Sequence, residues 1–520
     1  MSTFCRILVC IAVLVAFAAP SAAQNDNVLV ITALSDLQTL DPHIGYDTNT
    51  WPILPLVYRG LVGLDENSNP TPEIAESWEI SEDGMTYTFA LREGVKFANG
   101  RDVTPEDVKY SFTRLLDPDT ASPTAYFFDM IEGAQEVIAG EAEELSGITV
   151  VDERTVEFRF TRPEWTLMKR FALPPAAIIA REQVESAENF AREPMGAGPF
   201  VLDSWESGVR LTFSRNPNYW REDMPHVDQV ILEVGIEPAV GILRIDNGDA
   251  DTMLDFVPNS EYPRIVADPA LAERLIETAA FPNTQYIIPN TRQEPFNDIR
   301  VRQALSMAVD RERLVQIYNN RAVPAAGPIP PNVAGDNPDL APTAFDPEGA
   351  QALLAEAGLV DGFSTQIYST TDPVDVAIMQ AVIEDWSNVG VEAELISVDF
   401  AQWLDIAFNR PEEMPIAYIG WFMDYLDPSN VIEPLVACNG SFNVGGFCND
   451  DIDTAFQEAL LLPPGDERWE AFADLEALVA ENVPNIYLLH VRNFYYVSER
   501  VQNLTADPAY LLNLEEASVQ

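Results

Sequence analysis

The stretch IAYIGWFMDYLDPSN, residues 416–430, joins a short uncharged segment of β-prone residues to an acidic turn. Ile416 to Ile419 predict a buried strand, and Gly420 and Asp427-Pro428 indicate where the backbone leaves regular structure. Asp424 lies between these two breaks, and three aromatic residues flank it: Trp421, Phe422 and Tyr425. A carboxylate that aromatic rings withdraw from water is unfavourable unless a cation or several donors face it. Asp424 is therefore either the partner of a ligand ammonium group or a solvated acid in a turn.

The beginning of the chain has the pattern of a secretory signal peptide. Arg6 precedes an apolar run from Ile7 to Ala19, and small residues follow up to a cleavage point near Ala23–Gln24. The run is shorter than the ~20 residues that span a bilayer, and Cys10 lies inside it, which disfavours a lipid anchor. We therefore predict an exported, periplasmic protein with residues 1–23 removed. A chain of 520 residues with 47% hydrophobic content can form about three domains, at roughly 150 residues each.

The charge balance is strongly acidic. There are 83 acidic and 30 basic residues, a formal net charge of −53, and loss of Arg6 with the signal makes it −54. Such a surface excludes nucleic acid as a partner. The three lysines are Lys96, Lys109 and Lys169. So acidic and lysine-poor a surface is typical of a protein adapted to a saline medium, and equally of a merely acidic periplasmic protein.

Two cysteines remain after removal of the signal, because Cys5 and Cys10 leave with it. Cys438 and Cys448 are separated by nine residues, and in an exported protein a disulfide is the simplest interpretation. It would contribute ~2–3 kcal/mol through loop entropy. A metal site would need more ligands, and the chain has three histidines, His43, His226 and His490. We predict no metal and no cofactor.

Several elements are predicted from local patterns before position 120. Val28 to Leu34 reads as a first strand. Tyr87, Phe89 and Leu91 alternate with smaller residues, and Glu93-Gly94 predicts a hairpin back to Val95–Phe97. Thr104 and Pro105, with Asp107 three residues after Thr104, predict a capped helix that has Val108, Phe112 and Leu115 on one face.

A βαβ pattern is predicted in the second half of the chain. Asp346-Pro347 begins a helix that ends at Gly358, and a strand, a helix and a strand follow at 363–368, 374–388 and 391–398. Parallel strands place ligands beyond their carboxyl ends. If Ile416 to Ile419 joins this sheet, Trp421 to Asp424 would lie at that edge.

A set of short motifs follows one another in an order and spacing typical of a known family. They are Pro72–Trp78, Tyr87–Phe97, Asn99-Gly100, Thr104–Val108, Gly198-Pro199-Phe200, Arg215–Trp220, Asp298–Leu305 with Asp310-Arg311, and Gly420-Trp421 with Asp424-Tyr425 and Pro428. Together they resemble the periplasmic solute-binding proteins, family 5, that serve oligopeptide and dipeptide ABC importers. The resemblance implies an α/β fold of two lobes, the type II periplasmic binding protein fold, with an additional inserted domain.

The domain limits follow by similarity. Lobe I is expected at residues 24–62, 182–282 and 495–520, the inserted domain at 63–181, and lobe II at 283–494. The ligand would lie in the cleft between the lobes, which close on it around a hinge. The implied partners are a peptide or another small solute and the inner-membrane permease subunits with their cytoplasmic ATPases. We expect a monomer.

The resemblance also nominates the ligand-binding residues. Peptide-binding relatives pair the amino terminus of the ligand with an acid that matches Asp424, and they use backbone and an acid of lobe I that match Leu34, Ser35 and Asp36. Binding through main-chain pairing makes such receptors permissive for side chains. The complete predicted set is Asp424, Trp421, Tyr425, Phe422, Tyr418, Leu34, Ser35, Asp36, Phe400 and Trp403.

The sequence departs from the family where the other end of the ligand is expected. Dipeptide-specific relatives carry an Arg for the ligand carboxylate in the segment that reads TDPVDV here, residues 371–376, and oligopeptide-binding relatives carry one where this chain has Tyr418. Neither position holds a base. A longer peptide, a cationic solute, and an uncharged sugar-like solute stacking on Trp403, Trp421 and Tyr425 all stay open.

Motifs of an enzyme are missing from the sequence. It has no Gly-x-Ser-x-Gly, no His-Glu-x-x-His and no phosphate loop, and in so acidic a chain adjacent carboxylates do not indicate a glycosidase. A secreted hydrolase is therefore the weakest alternative. Asn449 to Asp453 resembles half of a calcium loop, but Thr454 stands where Gly is required, so we predict the start of a helix there. The predicted function is a non-enzymatic receptor of an ABC importer.

Overall fold

Three β-sheets organise the chain. The structure is a computed structural model that describes residues 27–65, 68–277, 283–506 and 512–520. The predicted signal peptide, with Cys5 and Cys10, lies outside the described residues.

The strands, in chain order, are β1 Val28–Thr32, β2 Val62–Leu64, β3 Pro70–Pro72, β4 Ala75–Ile80, β5 Thr86–Leu91, β6 Ile148–Asp152, β7 Thr155–Arg159, β8 Phe200–Glu206, β9 Arg210–Arg215, β10 Gln229–Glu233, β11 Thr252–Met253, β12 Leu275–Glu277, β13 Asn283–Pro289, β14 Ala322–Pro324, β15 Phe363–Thr370, β16 Val391–Val398, β17 Ile416–Phe422, β18 Ile486–Val491, β19 Phe494–Tyr496, β20 Val501–Gln502, β21 Thr505–Ala506, β22 Leu512–Asn513 and β23 Ser518–Val519.

The α-helices are α1 Leu54–Val57, α2 Pro105–Leu116, α3 Ala134–Ile138, α4 Leu167–Arg170, α5 Arg181–Ser186, α6 Pro238–Asn247, α7 Tyr262–Ala267, α8 Pro269–Ala272, α9 Ile299–Met307, α10 Arg311–Ile317, α11 Pro347–Glu356, α12 Pro373–Ser387, α13 Phe400–Asn409, α14 Ser429–Leu435, α15 Asp450–Leu461 and α16 Asp466–Asn482. Three short 3₁₀ helices lie at Ala125–Phe127, Pro174–Ala176 and Pro411–Glu413. None of the helices in the described ranges is long and apolar enough to cross a membrane.

The five-stranded sheet has the order β11-β1-β10-β9-β8, with β1 parallel to both of its neighbours. The four-stranded sheet, β4-β5-β7-β6, is antiparallel throughout. The six-stranded sheet has the order β14-β18-β13-β17-β15-β16, and β15 is parallel to both β16 and β17. Thus β17, the predicted strand of the opening stretch, does join the sheet of the predicted βαβ unit.

The helix and βαβ predictions are confirmed where capping signals carried them. The Asp107 carboxylate accepts a hydrogen bond from the Thr104 backbone N–H (2.9 Å), which closes the cap of α2. Strands β15 and β16 pair in register from Phe363–Val391 to Thr370–Val398, with α12 as the crossover. Helix α15 begins at Asp450, where Asn449 accepts from two backbone N–H groups, so the predicted helix start is confirmed.

The predicted hairpin between Tyr87–Leu91 and Val95–Phe97 is wrong. Strand β5 pairs with β4 on one side and β7 on the other, while Lys96 makes an isolated bridge to Asp102. The aromatic side chains of β5 explain the choice, because Phe89 packs edge-on against Phe158 of β7 at 5.7 Å. Pairing of β5 with β4 and β7 buries these rings, and this burial is more favourable than the hairpin that Glu93-Gly94 would allow.

The predicted end of the strand at Gly420 is also wrong. Strand β17 continues to Phe422, and its last residues pair with β13 as far as Asn283–Phe422. The glycine serves another purpose, since a Cβ at position 420 would lie 2.3 Å from the amide of Gln285. Gly420 therefore makes room for a neighbouring polar side chain and does not break the strand.

Hydrophobic cores cover both faces of the six-stranded sheet. One contains Trp403, Ile419 and Trp421, and the other contains Ile416, Tyr418 and helix α9. The five-stranded and four-stranded sheets share a single continuous core, which reaches from Leu29 to Phe158. Cys438 and Cys448 form a disulfide between α14 and α15.

Candidate functional site

Asp424 follows β17 and is buried, with 8% of its surface exposed. The amide of Asn430 donates to its Oδ2 (3.0 Å), and the Asp424 backbone N–H donates to Asn430 Oδ1 (2.8 Å). Two phenols contact the same carboxylate from distant parts of the chain. Tyr46 donates to Oδ1 (3.0 Å), and the Tyr126 hydroxyl lies 3.5 Å from Oδ2. The acid is thus enclosed by neutral donors.

The electrostatic state of Asp424 follows from this surrounding. Burial raises the pKa of Asp424 to about 6, although the hydrogen bonds from Asn430 and the two tyrosines lower it in part. Within the described ranges no Arg or Lys nitrogen lies within 4.0 Å of the carboxylate. The guanidinium of Arg170 lies over the ring of Tyr425, 5.3 Å from its centroid. Among the residues that the structure describes, a negative charge at Asp424 therefore has no ion-pair partner within 4.0 Å, and Arg170 acts on it only from a greater distance.

The predicted aromatic flank of Asp424 is arranged differently from the expectation. Trp421 packs into the core, and its indole N–H donates to the backbone oxygen of Asn430 (3.0 Å), so it fixes the residue that holds Asp424. Tyr425 packs against Phe127. Phe422 stacks on Phe256 at 6.2 Å. Whether these three residues contact a ligand stays a prediction.

A second acid lies at the start of α12, beside Tyr418. The Tyr418 hydroxyl is 2.8 Å from Gln285 Oε1 and 3.3 Å from Asp375 Oδ1. Thr370 donates to Asp375 Oδ2 (2.6 Å). Burial raises the pKa of Asp375 to about 6, and the neighbouring charge of Asp372 acts in the same direction. Tyr418 itself is fully buried.

The predicted residues of lobe I occupy one loop after β1. Leu34 and Ser35 are exposed, and the Leu34 N–H donates to Asp255 Oδ2 (2.8 Å). Burial raises the pKa of Asp255 to about 6. Asp36 accepts from the Trp205 indole (3.0 Å) and from the backbone N–H of Gly208 (2.8 Å), so it holds the turn between β8 and β9. A ligand contact of Asp36 stays a prediction, and Asp255 is an acid of this region that the sequence did not nominate.

The two aromatic residues of α13 have opposite environments. Phe400 is 55% exposed. Trp403 is completely buried and stacks on Phe442 at 6.1 Å, so neither face of its indole is free in this arrangement. Ligand contacts at both residues stay predictions.

Residues 63–181 and 283–494 contact each other near Asp424. The Trp165 indole donates to the backbone oxygen of Leu461 (3.3 Å), and Lys169 Nζ donates to the backbone oxygen of Leu426. Arg170 lies 3.7 Å from Glu433. Together with the two tyrosine contacts to Asp424, they bury the opening stretch beneath the segment that was expected to form the inserted domain.

The structure adds five residues to the candidate site that the sequence did not indicate: Tyr46, Tyr126, Asn430, Asp375 and Asp255. Tyr46 and Tyr126 are 378 and 298 positions away from Asp424. No local pattern relates residues at such separations. Asn430 lay inside the opening stretch and could have been proposed as the donor to Asp424.

The sequence is similar to a family of known binding proteins. Residues 69–443 match the model of the bacterial extracellular solute-binding proteins, family 5 (middle). Among similar proteins, heme-binding protein A of Haemophilus influenzae is 28% identical over 476 residues, covering 87% of this chain and 85% of that protein. The dipeptide-binding protein of Escherichia coli is 28% identical over 499 residues, covering 91% and 90%.

A solved structure shows the same fold. The murein tripeptide binding protein MppA of Escherichia coli superposes with a TM-score of 0.84 at 24% identity, covering 95% of this chain and 99% of that one. The expected type II periplasmic binding protein fold is therefore confirmed. The curated relatives differ in the ligands that their names state, heme in one and dipeptides in the other, so likeness alone does not select the ligand of this chain.

Proposed function

Because the chain belongs to the bacterial extracellular solute-binding proteins of family 5, we propose that it is the receptor of an ABC importer for short peptides, which it holds by their amino terminus. The observation that carries this proposal is Asp424, a buried carboxylate that faces three neutral donors and, in the described part of the chain, no Arg or Lys within 4.0 Å. A peptide ammonium supplies both the missing positive charge and three N–H donors.

The peptide class is supported over heme by charge. Heme carries anionic propionates. Asp375 and Asp424, two partly or wholly buried acids that lie within 4.0 Å of no Arg or Lys nitrogen in the described ranges, would repel them. His43 and His490 are buried, so neither imidazole is exposed to the iron of an approaching heme. The dipeptide-binding and murein tripeptide binding relatives are consistent with the peptide class.

We also propose the domain limits, the location and the partners of this receptor. We take lobe I at 24–62, 182–282 and 495–520, the inserted domain at 63–181, and lobe II at 283–494. The mature protein is a periplasmic monomer cut near Ala23–Gln24, and it delivers its ligand to permease subunits driven by cytoplasmic ATPases. The family is one of binding proteins, and we propose that this chain has no catalytic activity.

Native mass spectrometry tests the ligand class. The purified protein is measured intact and then denatured, so that any co-purifying molecule is released and identified. Peptides with a free amino terminus are the expected result for wild type, and their occupancy should collapse in Asp424→Asn. Asp399→Asn is the matched control. It removes the same charge from another Asp, which caps α13 outside the contacts of Asp424, and Asn caps a helix equally well. A sugar-like or anionic molecule in the wild type would overturn the proposal.

A further inference from the structure

Buried acids in this chain are as a rule paired with arginine. Of nine buried carboxylates in the described ranges, seven lie within 4.0 Å of an Arg nitrogen: Asp41, Asp107, Glu164, Asp251, Asp385, Asp427 and Glu515. Glu476 accepts two backbone N–H groups instead, from Ile329 and Asn337. Asp424 is the ninth. The half-buried Asp375 shares its lack of an Arg or Lys partner within that distance among the described residues.

Hydrogen-bond donors are too few around Asp375. The Tyr418 hydroxyl carries one proton, and Gln285 Oε1 at 2.8 Å receives that proton better than Asp375 Oδ1 at 3.3 Å; Tyr318 is a third neighbour of the same hydroxyl. Asp375 then keeps one hydroxyl donor, Thr370. Gln285 does not relieve the shortage, because its Oε1 faces Tyr418, its amide nitrogen donates to Asn283 Oδ1 (2.9 Å), and it makes no hydrogen bond to Asp375 among the described residues.

A second, independent feature lies on the neighbouring strand β15. Ser369 is completely buried, and its Oγ has no hydrogen-bond partner within the described ranges. The register of β15 on β17 pairs Ile367 with Ile416, so alternation places Ser369 next to Tyr418 on one face of the sheet. A buried hydroxyl without a partner costs free energy unless another group fills the gap.

The location of this cluster is the carboxyl edge of the parallel strands. Tyr318 adjoins Tyr418. The next residue, Asn319, donates a hydrogen bond to the backbone oxygen of Asn259 (2.8 Å). Phe256, from the same segment as Asn259, covers Phe422 on the other side. Residues 256–259 therefore contact both the end of β17, which leads to Asp424, and the segment of Tyr318, which adjoins the cluster of Asp375.

We propose that Asp375, with Tyr418, Thr370 and Ser369, binds a second positively charged group of the same ligand, so that the receptor prefers peptides with a basic side chain after a free amino terminus. This rests on the proposed function. An ammonium or guanidinium group brings several donors and no acceptor, which matches the surplus of oxygen atoms. Tyr418 and Asp424 are six positions apart, at most about 20 Å of extended chain, which a peptide of three to five residues with a long side chain can span.

Calorimetry at pH 7.5 with alanine pentapeptides tests the second subsite. Each peptide carries either Arg or citrulline, its neutral isostere, at position 3, 4 or 5, and an all-alanine pentapeptide is the reference. At one position at least, Arg should bind wild type ten times or more tightly than citrulline. Asp375→Asn should abolish that difference. Asp372→Asn, at the exposed cap of the same helix, should keep it.

The outcomes separate the two proposals. Equal affinity for Arg and citrulline peptides at all three positions, with measurable binding of the all-alanine peptide, would overturn the second subsite and leave the peptide receptor intact. Loss of the Arg preference in Asp372→Asn as well as in Asp375→Asn would reduce the effect to general attraction by acids, and would also overturn it. Failure of every pentapeptide to bind wild type would overturn the proposed function itself.

Discussion

Replacement of Asp424 by Asn should weaken peptide binding and stabilise the empty protein. The substitution keeps the shape of the side chain and one oxygen acceptor for Tyr46 or Asn430, and it removes the charge. The two effects have opposite sign, because the charge is costly without a ligand and useful with one. A buried acid that did not contact the ligand would show the gain in stability without the loss of binding.

The stability gain is worked from the pKa of Asp424. An acid with a pKa of about 6 in the folded protein and 3.8 in the unfolded chain loses stability as pH rises from 4 to 6, because the folded state retains its proton longer. The cost at pH 7 is about 3 kcal/mol. Asp424→Asn should recover much of this cost at pH 7 and none of it at pH 4. Thermal melts of the ligand-free proteins at both pH values measure the difference.

The binding loss follows from the buried ion pair. Removal of one partner leaves the ligand ammonium buried and uncompensated, at about 2–5 kcal/mol, which is roughly 30-fold or more in affinity. N-acetylation of the peptide deletes the same contact from the other side. Acetylation should therefore cost wild type a similar factor and cost the variant little more.

Calorimetry on the four combinations of protein and peptide decides the matter. Wild-type affinity in Asp424→Asn would show that Asp424 does not contact the ligand. An additive loss, with acetylation harming the variant as much as wild type, would place the amino terminus at another group. A variant that melts at the same temperature as wild type at pH 7 would refute the argument from burial.

Four further outcomes are expected. Peptide affinity should fall about tenfold from pH 7.5 to pH 5 as Asp424 takes up its proton, and the fall should be absent in Asp424→Asn; equal slopes in calorimetry would contradict this. The melting temperature should rise with sodium chloride concentration, because the Debye screening length falls from ~30 Å at 0.01 M to ~3 Å at 1 M and repulsion between acidic residues weakens. A melting temperature that does not change with salt would contradict adaptation to a saline medium. Small-angle scattering should show a smaller radius of gyration with peptide than without, and an unchanged value counts against hinge closure. Serine at both Cys438 and Cys448 should lower the free energy of unfolding by about 2–3 kcal/mol in denaturant titrations, whereas no change would mean that the loop needs no covalent closure.

The parts of the fold that sequence predicted are those with short-range signals. The start of helix α2 could be placed to the residue because Thr104, Pro105 and Asp107 form its cap within four positions. The unit β15-α12-β16 was predictable because β-prone strands flank a helix that Asp372 caps. In each case the residues that fix the element are the element's own neighbours.

The errors arose where long-range packing chose the partner. The turn at Glu93-Gly94 was genuine local evidence, yet β5 pairs with β7, some 65 positions later, because Phe158 covers Phe89. Gly420 looked like a strand end because glycine is a poor strand former. Only the position of Gln285 on β13 explains why a side chain is excluded there.

The acids of the cleft show why a site can be hidden in composition and visible in structure. With 83 acidic residues in the chain, neither Asp424 nor Asp375 stands out by residue type, and family resemblance singled out Asp424 alone. Burial and pairing separate them. An acidic protein that places arginine beside Asp427 and Glu515 has the means to neutralise a buried carboxylate, and it leaves Asp424 and Asp375 to hydroxyl and amide donors. Because an unpaired buried charge is unfavourable in the empty protein, its cost is offset only when a ligand brings the cation, and that same free energy then contributes to selectivity for cationic ligands.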